Sequence, residues 1–272
     1  MKQYQELLEY VMKYGKKKSD PQGVGNVAVF AHMMRFRPAE ELPLLTTKKI
    51  NLRYVIGELL WFLRGDTRID FLKENKIPIW NQWAAKEVTE QYGLEEGDVG
   101  RIYPAQWIHW KKRNGGEINQ IAELVKDLKS NPDSRRHMVT SWNPEDLNVP
   151  VAPCHGIFKC FVADGELSLA MIQRSADVFI GVPFNTASYS LLLLMLAQVT
   201  GLKPGEFVHI LLDTHIYLHH FEQVKLQLSR TPKNLPRVIL NSEVKDIFKF
   251  SFDDFYLDGY DPYPFIPAPV GL

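Results

Sequence analysis

Cys154 stands between Pro153 and His155 in VPVAPCHGIFKC, residues 149–160, and is one of two cysteines in a chain of 272 residues. Cysteine attacks as the thiolate, whose ordinary pKa of about 8.5 has to be lowered by nearby cations or oriented dipoles. The candidate cations are Arg135 and Arg136 upstream, and Arg174 beside Ser175 downstream, on the opposite strand of the same hairpin. An adjacent arginine pair behind SNPDS is ordinarily a surface feature, whereas an Arg next to Ser at a strand end makes a forked anion site. Free cysteine is also among the most buried residue types, so a small core filler is the competing reading.

Glu58 lies in IGELLWFL, an apolar helical run, where an unpaired carboxylate is costly and is satisfied by a specific partner or water. It is either a structural buried carboxylate or a tuned acid or base. Asn185 in VPFNTASY precedes a buried helix and reads either as an N-cap or as an amide facing a complementary donor and acceptor pair on a planar ring. Trp80 and Trp83 in IWNQW are core residues or a wall for a flat heterocycle.

The elements that must position these groups follow from periodicity. Helices are expected over 3–14, from Ile50 to Leu63 with Gly65 closing, over NQIAELVKDLKSNP stopped at Asn131-Pro132, over TASYSLLLLMLAQVTG and over HHFEQVKLQLSR. GIFKCFVADGELSLAMIQR has the signature of a hairpin turning at Asp164-Gly165, and FVHILLDTHIYL reads as a strand. KKKSDPQGVGN, residues 16–26, reads as a basic loop, and residues 84–101 as a polar surface excursion. Strands and helices interleave without βαβ regularity, which predicts an α+β fold over 1–272: a single domain with a large mixed or antiparallel sheet flanked by helices.

Lys plus Arg and Asp plus Glu number 32 each, so no global field favours DNA, RNA or an anionic membrane, and an anionic ligand must be held by placed basic residues. No disulfide framework or paired CxxC metal site is present, and no metal is expected. The N-terminus lacks an apolar h-region and LLLLMLAQV is too short to cross a bilayer, so a cytoplasmic protein is expected.

Together the motifs resemble thymidylate synthase, the folate-dependent, cysteine-nucleophile type. The matching stretches are LPLLTTKK at 42–49, ELLWFLRGDT at 58–67, IWNQW at 79–83, SRR at 134–136, SWNPEDL at 141–147, APCH at 152–155, QRSADVFIGVPFNTASY at 173–189, DTHIY at 213–217 and the tail YDPYP…APVGL. The resemblance implies that Cys154 adds to C6 of dUMP so that C5 becomes nucleophilic towards the one-carbon unit of 5,10-methylenetetrahydrofolate, giving dTMP and dihydrofolate. It further implies proton movement through Glu58, with Tyr103 and His155 holding that network, and uracil recognition by Asn185. Gln173, Arg174 and Ser175 are implied on the nucleotide, and His215 and Tyr217 on its sugar. Asp177, Ile79, Trp80, Trp83, Gly181 and Phe184 are implied for the folate. The same resemblance implies a homodimer, with Arg135 and Arg136 donated across the interface.

Departures from the family's pattern cluster near the nucleotide. Asp20-Pro21-Gln22-Gly23 replaces Asp-Arg-Thr-Gly, removing one phosphate arginine, for which Lys16, Lys17 or Lys18 could substitute as a point charge. Pro104, Ile108, Ile172 and Leu212 also depart from the family's residues. Two other readings are weighed. One is a pyrimidine-nucleotide 5-hydroxymethylase using the same Cys and Glu; the other is a retired nucleotide- or RNA-binding paralogue, against which intact Cys154, Glu58, Arg174 and Asn185 argue.

Overall fold

A computed structural model describes residues 1–20 and 23–270. Helix α1, Lys2–Tyr14, turns Tyr4, Leu7, Leu8 and Val11 into the core at helical spacing. Strand β1, Lys16–Lys18, then pairs antiparallel with β2, Asn26–Phe36, placing Lys16 opposite Ala28 and Lys18 opposite Asn26. The basic stretch expected as a loop from residue 16 therefore begins as a strand. Backbone pairing with β2 overrides its polar composition, and its exposed lysines leave a charged sheet edge that resists further pairing. Pro21 and Gln22 lie outside the described residues. Within β2, Ala31 adopts φ 61 between the pairs Phe30↔Asp213 and His32↔Leu211, a local kink at which the ladder skips one pair while the register on either side stays the same.

Asn51 starts helix α2, Leu52–Arg64, by accepting the Arg53 N–H at 3.1 Å, and Gly65 ends it in the left-handed conformation at φ 80. Every residue from Val55 to Leu63 is buried, Glu58 among them. The polar excursion after it is partly ordered as two short helical turns, Lys86–Thr89 and Glu90–Tyr92. Helices α3, Tyr103–Ile108, and α4, Gln120–Ser130, follow; the second starts at the Asn119 cap and stops before Pro132.

Strands β3, Met138–Thr140, β4, Ile157–Ala163, and β5, Glu166–Asp177, come next. Asp164 and Gly165, at φ 51 and 74, make the tight turn of the β4–β5 hairpin, because both central positions need positive φ. Helix α5, Gly181–Thr200, then carries the chain to β6, Lys203–Tyr217, which lies parallel to β5, and helix α6, Phe221–Leu228, follows. The six strands take the order β1-β2-β6-β5-β4-β3 and every other pair is antiparallel. A mixed sheet flanked by helices, the α+β fold class, is thus observed, with one βαβ unit that the absence of a repeating strand–helix pattern had concealed.

Helix α5 is long and apolar enough to cross a membrane by length and composition, but it is packed against the inner faces of β5 and β6 and mostly buried, as a core helix is. One apolar core runs from Tyr4 to Ile266. The opposite face of the sheet carries an uncovered apolar row, since Met33 pairs with Ile210, Ile210 with Ile172 and Ile172 with Ile157. Met33 and Ile172 in that row are exposed, as are Met138 and Phe161 on the neighbouring strands.

Candidate active site

The parallel pair β5–β6 ends with Ser175 beside Asp213 and Asp177 beside His215, just before α5 begins. The carboxyl ends of parallel strands leave a crevice where ligands bind, and a cavity of about 540 Å³, the size of a small-molecule site, opens there. Its walls bring together Gln173, Arg174, Ser175 and Asp177 from β5, His215 and Tyr217 from β6, and Gly181, Phe184 and Asn185 from α5. Glu58, Ile79, Trp80, Trp83, Tyr103, Cys154 and His155 complete the sequence-predicted set around it. Arg135 and Arg136 do not line this cavity; both are exposed in the turn before β3. Arg136 instead borders a second cavity of about 430 Å³ against α4, where Glu123, Lys126 and Asp127 supply charges of both signs and no cysteine is in the lining.

Cys154 sits in the turn before β4, held from three directions. Its N–H donates to the Tyr103 hydroxyl at 2.6 Å, and its thiol donates to the Ala152 carbonyl at 3.7 Å. Arg174 donates to the carbonyls of Pro153 and Ala152 at 2.9 and 2.8 Å, which brings its guanidinium to 3.9 Å from Sγ. Burial pushes the Cys154 thiol above its usual range, while the Arg174 charge and the Tyr103 hydroxyl pull it down. The lowered thiol expected from neighbouring cations is therefore corrected: desolvation wins, and the arginine spends donors on the loop carbonyls.

Glu58 reaches the same cavity from the middle of α2. The Trp80 indole N–H donates to Oε1 at 2.7 Å, and burial pushes the carboxyl up to about 7 even against that bond. A carboxyl raised in this way suits proton exchange near neutral pH, which is what the tuned-group reading of Glu58 requires. Beside it, His155 stacks on Tyr103 with ring centroids 4.0 Å apart, and its Nδ1 lies 2.9 Å from the Tyr189 hydroxyl. Burial depresses the His155 imidazole to about 3, so the ring is neutral and hydrogen-bonds without carrying charge.

Asn185 lies within α5, not at its cap, because the helix already starts at Gly181. The chain ahead of the helix is held by Asp177, whose Oδ1 accepts from the N–H groups of Phe179 and Ile180 at 2.9 and 3.1 Å. Asn185 Oδ1 accepts from Gln173 Nε2 at 3.0 Å, leaving its amide N–H groups for the cavity. Trp80 and Trp83 pack at 5.4 Å between centroids and form an apolar wall with Ile79, Ile180 and Phe184. Trp80 thus serves as wall, as core residue and as hydrogen-bond donor to Glu58. That aromatic wall, with the Glu58 and Asp177 carboxylates beside it, suits a flat, amide-bearing heterocycle.

Lys18, one of the three lysines offered in place of the missing phosphate arginine, lines the cavity and forms an ion pair with Asp213, which also lines it. Other contributors escaped sequence reading. Asp213 accompanies His215 at the strand period of two, a signal that could have placed both on one face. Buried Lys48 donates to the Phe179 carbonyl and sits 3.5 Å over the Phe179 ring; burial lowers its ammonium to about 7, opposed by the charge of Asp177. His220 Nε2 lies 2.8 Å from the Pro269 carbonyl and its Nδ1 lies 3.9 Å from Asp177, so the C-terminal tail, whose Val270 lines the cavity, is tied to the same wall. Among the described residues no group of three or more His, Cys, Asp or Glu could hold a metal ion.

A cysteine beside an arginine, a carboxyl tuned to neutral pH, an oriented amide and an aromatic wall in one cavity suit covalent addition to a flat ring followed by group transfer. The thymidylate synthase family model matches residues 2–272, and the chain belongs to the thymidylate synthase family, whose members transfer a one-carbon unit from methylenetetrahydrofolate to dUMP.

Proposed function

We propose that this chain, acting as a single catalytic unit over 1–272, converts dUMP and 5,10-methylenetetrahydrofolate to dTMP and dihydrofolate through addition of Cys154 to C6. The observation that carries the reading is the convergence of Cys154, Arg174, Glu58 and Asn185 on one cavity. The thiol gives up its proton as the nucleotide enters. Sulfur adds to C6, and C5 gains the electron density that an unmodified uracil lacks; once C5 has taken up the one-carbon unit and lost its proton, the C6–S bond breaks and returns the thiolate. Arg174 and Ser175 hold the phosphate, His215 and Tyr217 the sugar hydroxyl, and Asn185 the ring edge. Glu58 takes and returns protons at the ring, with Tyr103 and His155 fixing the polar network around it. The folate supplies the one-carbon unit and the hydride, and it is received by Asp177, Ile79, Trp80, Trp83, Gly181 and Phe184.

The active form is a homodimer in the cytoplasm. The uncovered row Met33–Ile210–Ile172–Ile157, with Met138 and Phe161 beside it, is an apolar sheet face of the kind a second copy covers. Met138 lies two residues beyond Arg136, so covering this face carries Arg135 and Arg136 to the partner, where they complete the phosphate site.

Mass analysis of products from dUMP, dCMP and UMP, each with 5,10-methylenetetrahydrofolate, tests the reading. A methylated product from dUMP alone is expected. A hydroxymethyl product, or preference for dCMP, identifies a pyrimidine 5-hydroxymethylase, and the absence of any product identifies a retired binding protein.

A further inference from the structure

Asn185 heads a chain of polar groups that runs from the cavity into the core through Gln173, His209 and Thr186, the last three fully or almost fully buried. Gln173 Nε2 lies 3.0 Å from the Ser175 carbonyl and 3.0 Å from Asn185 Oδ1; Gln173 Oε1 lies 2.8 Å from His209 Nε2. His209 Nδ1 lies 3.0 Å from the Thr186 hydroxyl, which is also 2.8 Å from the Val182 carbonyl.

The hydrogens in this chain follow from one fixed point. The Ser175 carbonyl only accepts, so the Gln173 atom facing it is the amide nitrogen, and Oε1 must face His209. An acceptor there requires His209 to carry its ring hydrogen on Nε2. Burial depresses this imidazole to about 3, so it is neutral and holds only that one hydrogen. Nδ1 is then an acceptor, and the single Thr186 hydroxyl hydrogen lies between it and the Val182 carbonyl. The second Gln173 N–H points at Asn185, which must answer with Oδ1. The Gln173 and Asn185 amides are thereby assigned from the Ser175 carbonyl outwards.

We propose that His209 is a specificity-determining positioning residue: through Gln173 it holds the Asn185 amide in the one orientation that matches a uracil edge and opposes a cytosine edge. The inference rests on the reading that Asn185 faces the pyrimidine. In the fixed orientation Asn185 offers N–H to a ring carbonyl and the remaining lone pair of Oδ1 to a ring N–H, the pattern of a 4-oxo pyrimidine. A 4-amino ring presents the reverse. Admitting it needs Asn185 turned over, which sets its NH₂ against the Gln173 NH₂. Turning Gln173 as well sets Oε1 against the Ser175 carbonyl and NH₂ against His209 Nε2–H. Gln173 and His209 are buried, so a mismatch at either leaves polar atoms unpaired without water to replace the lost partner.

Calorimetric dissociation constants for dUMP and dCMP, measured on the full chain, test the proposal. In His209→Phe, which removes the donor, the preference for dUMP is expected to fall about tenfold, with KM for dUMP rising more than kcat falls. His209→Gln, whose amide N–H reaches the place of Nε2–H, is expected to restore the preference. A folded His209→Phe with undiminished preference overturns this inference and leaves the proposed function standing. An unmodified protein that binds dCMP as tightly as dUMP overturns both. If His209→Phe fails to fold, nitrogen-15 NMR of the histidine-labelled unmodified protein decides: hydrogen on Nε2 supports the relay, and hydrogen on Nδ1 overturns it.

Discussion

The turn before β4 and the body of β4 each hold one cysteine, and the two stand in different surroundings. Cys154 lines the cavity, with Tyr103 on its N–H and the Arg174 guanidinium 3.9 Å from its sulfur. Cys160 is packed in the core beneath the strand, where burial pushes its thiol up to about 12 against the charge of Lys159. Both thiols are raised by desolvation, so low pKa is not what separates them. What separates them is access to a cavity and a cation close enough to stabilise the thiolate once a ligand arrives. The proposed nucleophile is set apart by groups brought from other elements, Tyr103 and Arg174.

The sharpest way to break that contrast is Cys154→Ser, expected to lower kcat by about 10⁴-fold or more while dUMP still binds, as rapid-quench kinetics and calorimetry together would register. Turnover close to that of the unmodified protein would place the nucleophile elsewhere.

Glu58→Gln is expected to cost about 10² to 10⁴-fold in kcat and to remove the limb near pH 7 from the pH–rate profile. Its stability carries an independent sign. The Glu58 carboxyl has a raised folded pKa of about 7, so its contribution is complete below the ordinary value of 4.5 and is lost as pH rises through 7. Thermal melts should therefore show Glu58→Gln gaining on the unmodified protein between pH 4.5 and 8, by up to about 3 kcal/mol.

Arg174→Lys sharpens the comparison from the cation side. Lysine cannot fork across two loop carbonyls and still approach the sulfur, so iodoacetamide should modify Cys154 about tenfold more slowly in this variant. Cys160 should resist the reagent in both proteins. The smallest effect is expected for Cys160→Ala, about 1 kcal/mol in a denaturant melt with kcat unchanged, because it removes one buried sulfur far from the chemistry.

Much of the secondary structure was legible because its causes are local. Helix α2 is announced by Asn51 and Gly65, the β4–β5 turn by Asp164-Gly165, and α1 by the spacing of Leu7, Leu8 and Val11. What misled was equally local: Lys16–Lys18 read as loop because lysine disfavours strands, yet β2 supplies the pairing, and Asn185 read as a cap because the helix start at Gly181 carries no local signal. The parallel run of β5 and β6 was hidden because pairing direction depends on where α5 packs.

By itself the sequence determined which groups were available: one cysteine framed by Pro153 and His155, the Glu58 carboxylate in an apolar helix, the Arg174-Ser175 pair, and motifs dense enough to mark the family. Only the tertiary structure decided their states. Tyr103 meets Cys154 across 51 residues and Trp80 meets Glu58 across 22, and no local pattern encodes such contacts. Burial then set the protonation of Glu58, His155 and His209, because desolvation is a property of the packed whole. The sequence names the reactive groups, but a proton's place depends on how much water each has lost and on which partner stands within hydrogen-bonding reach.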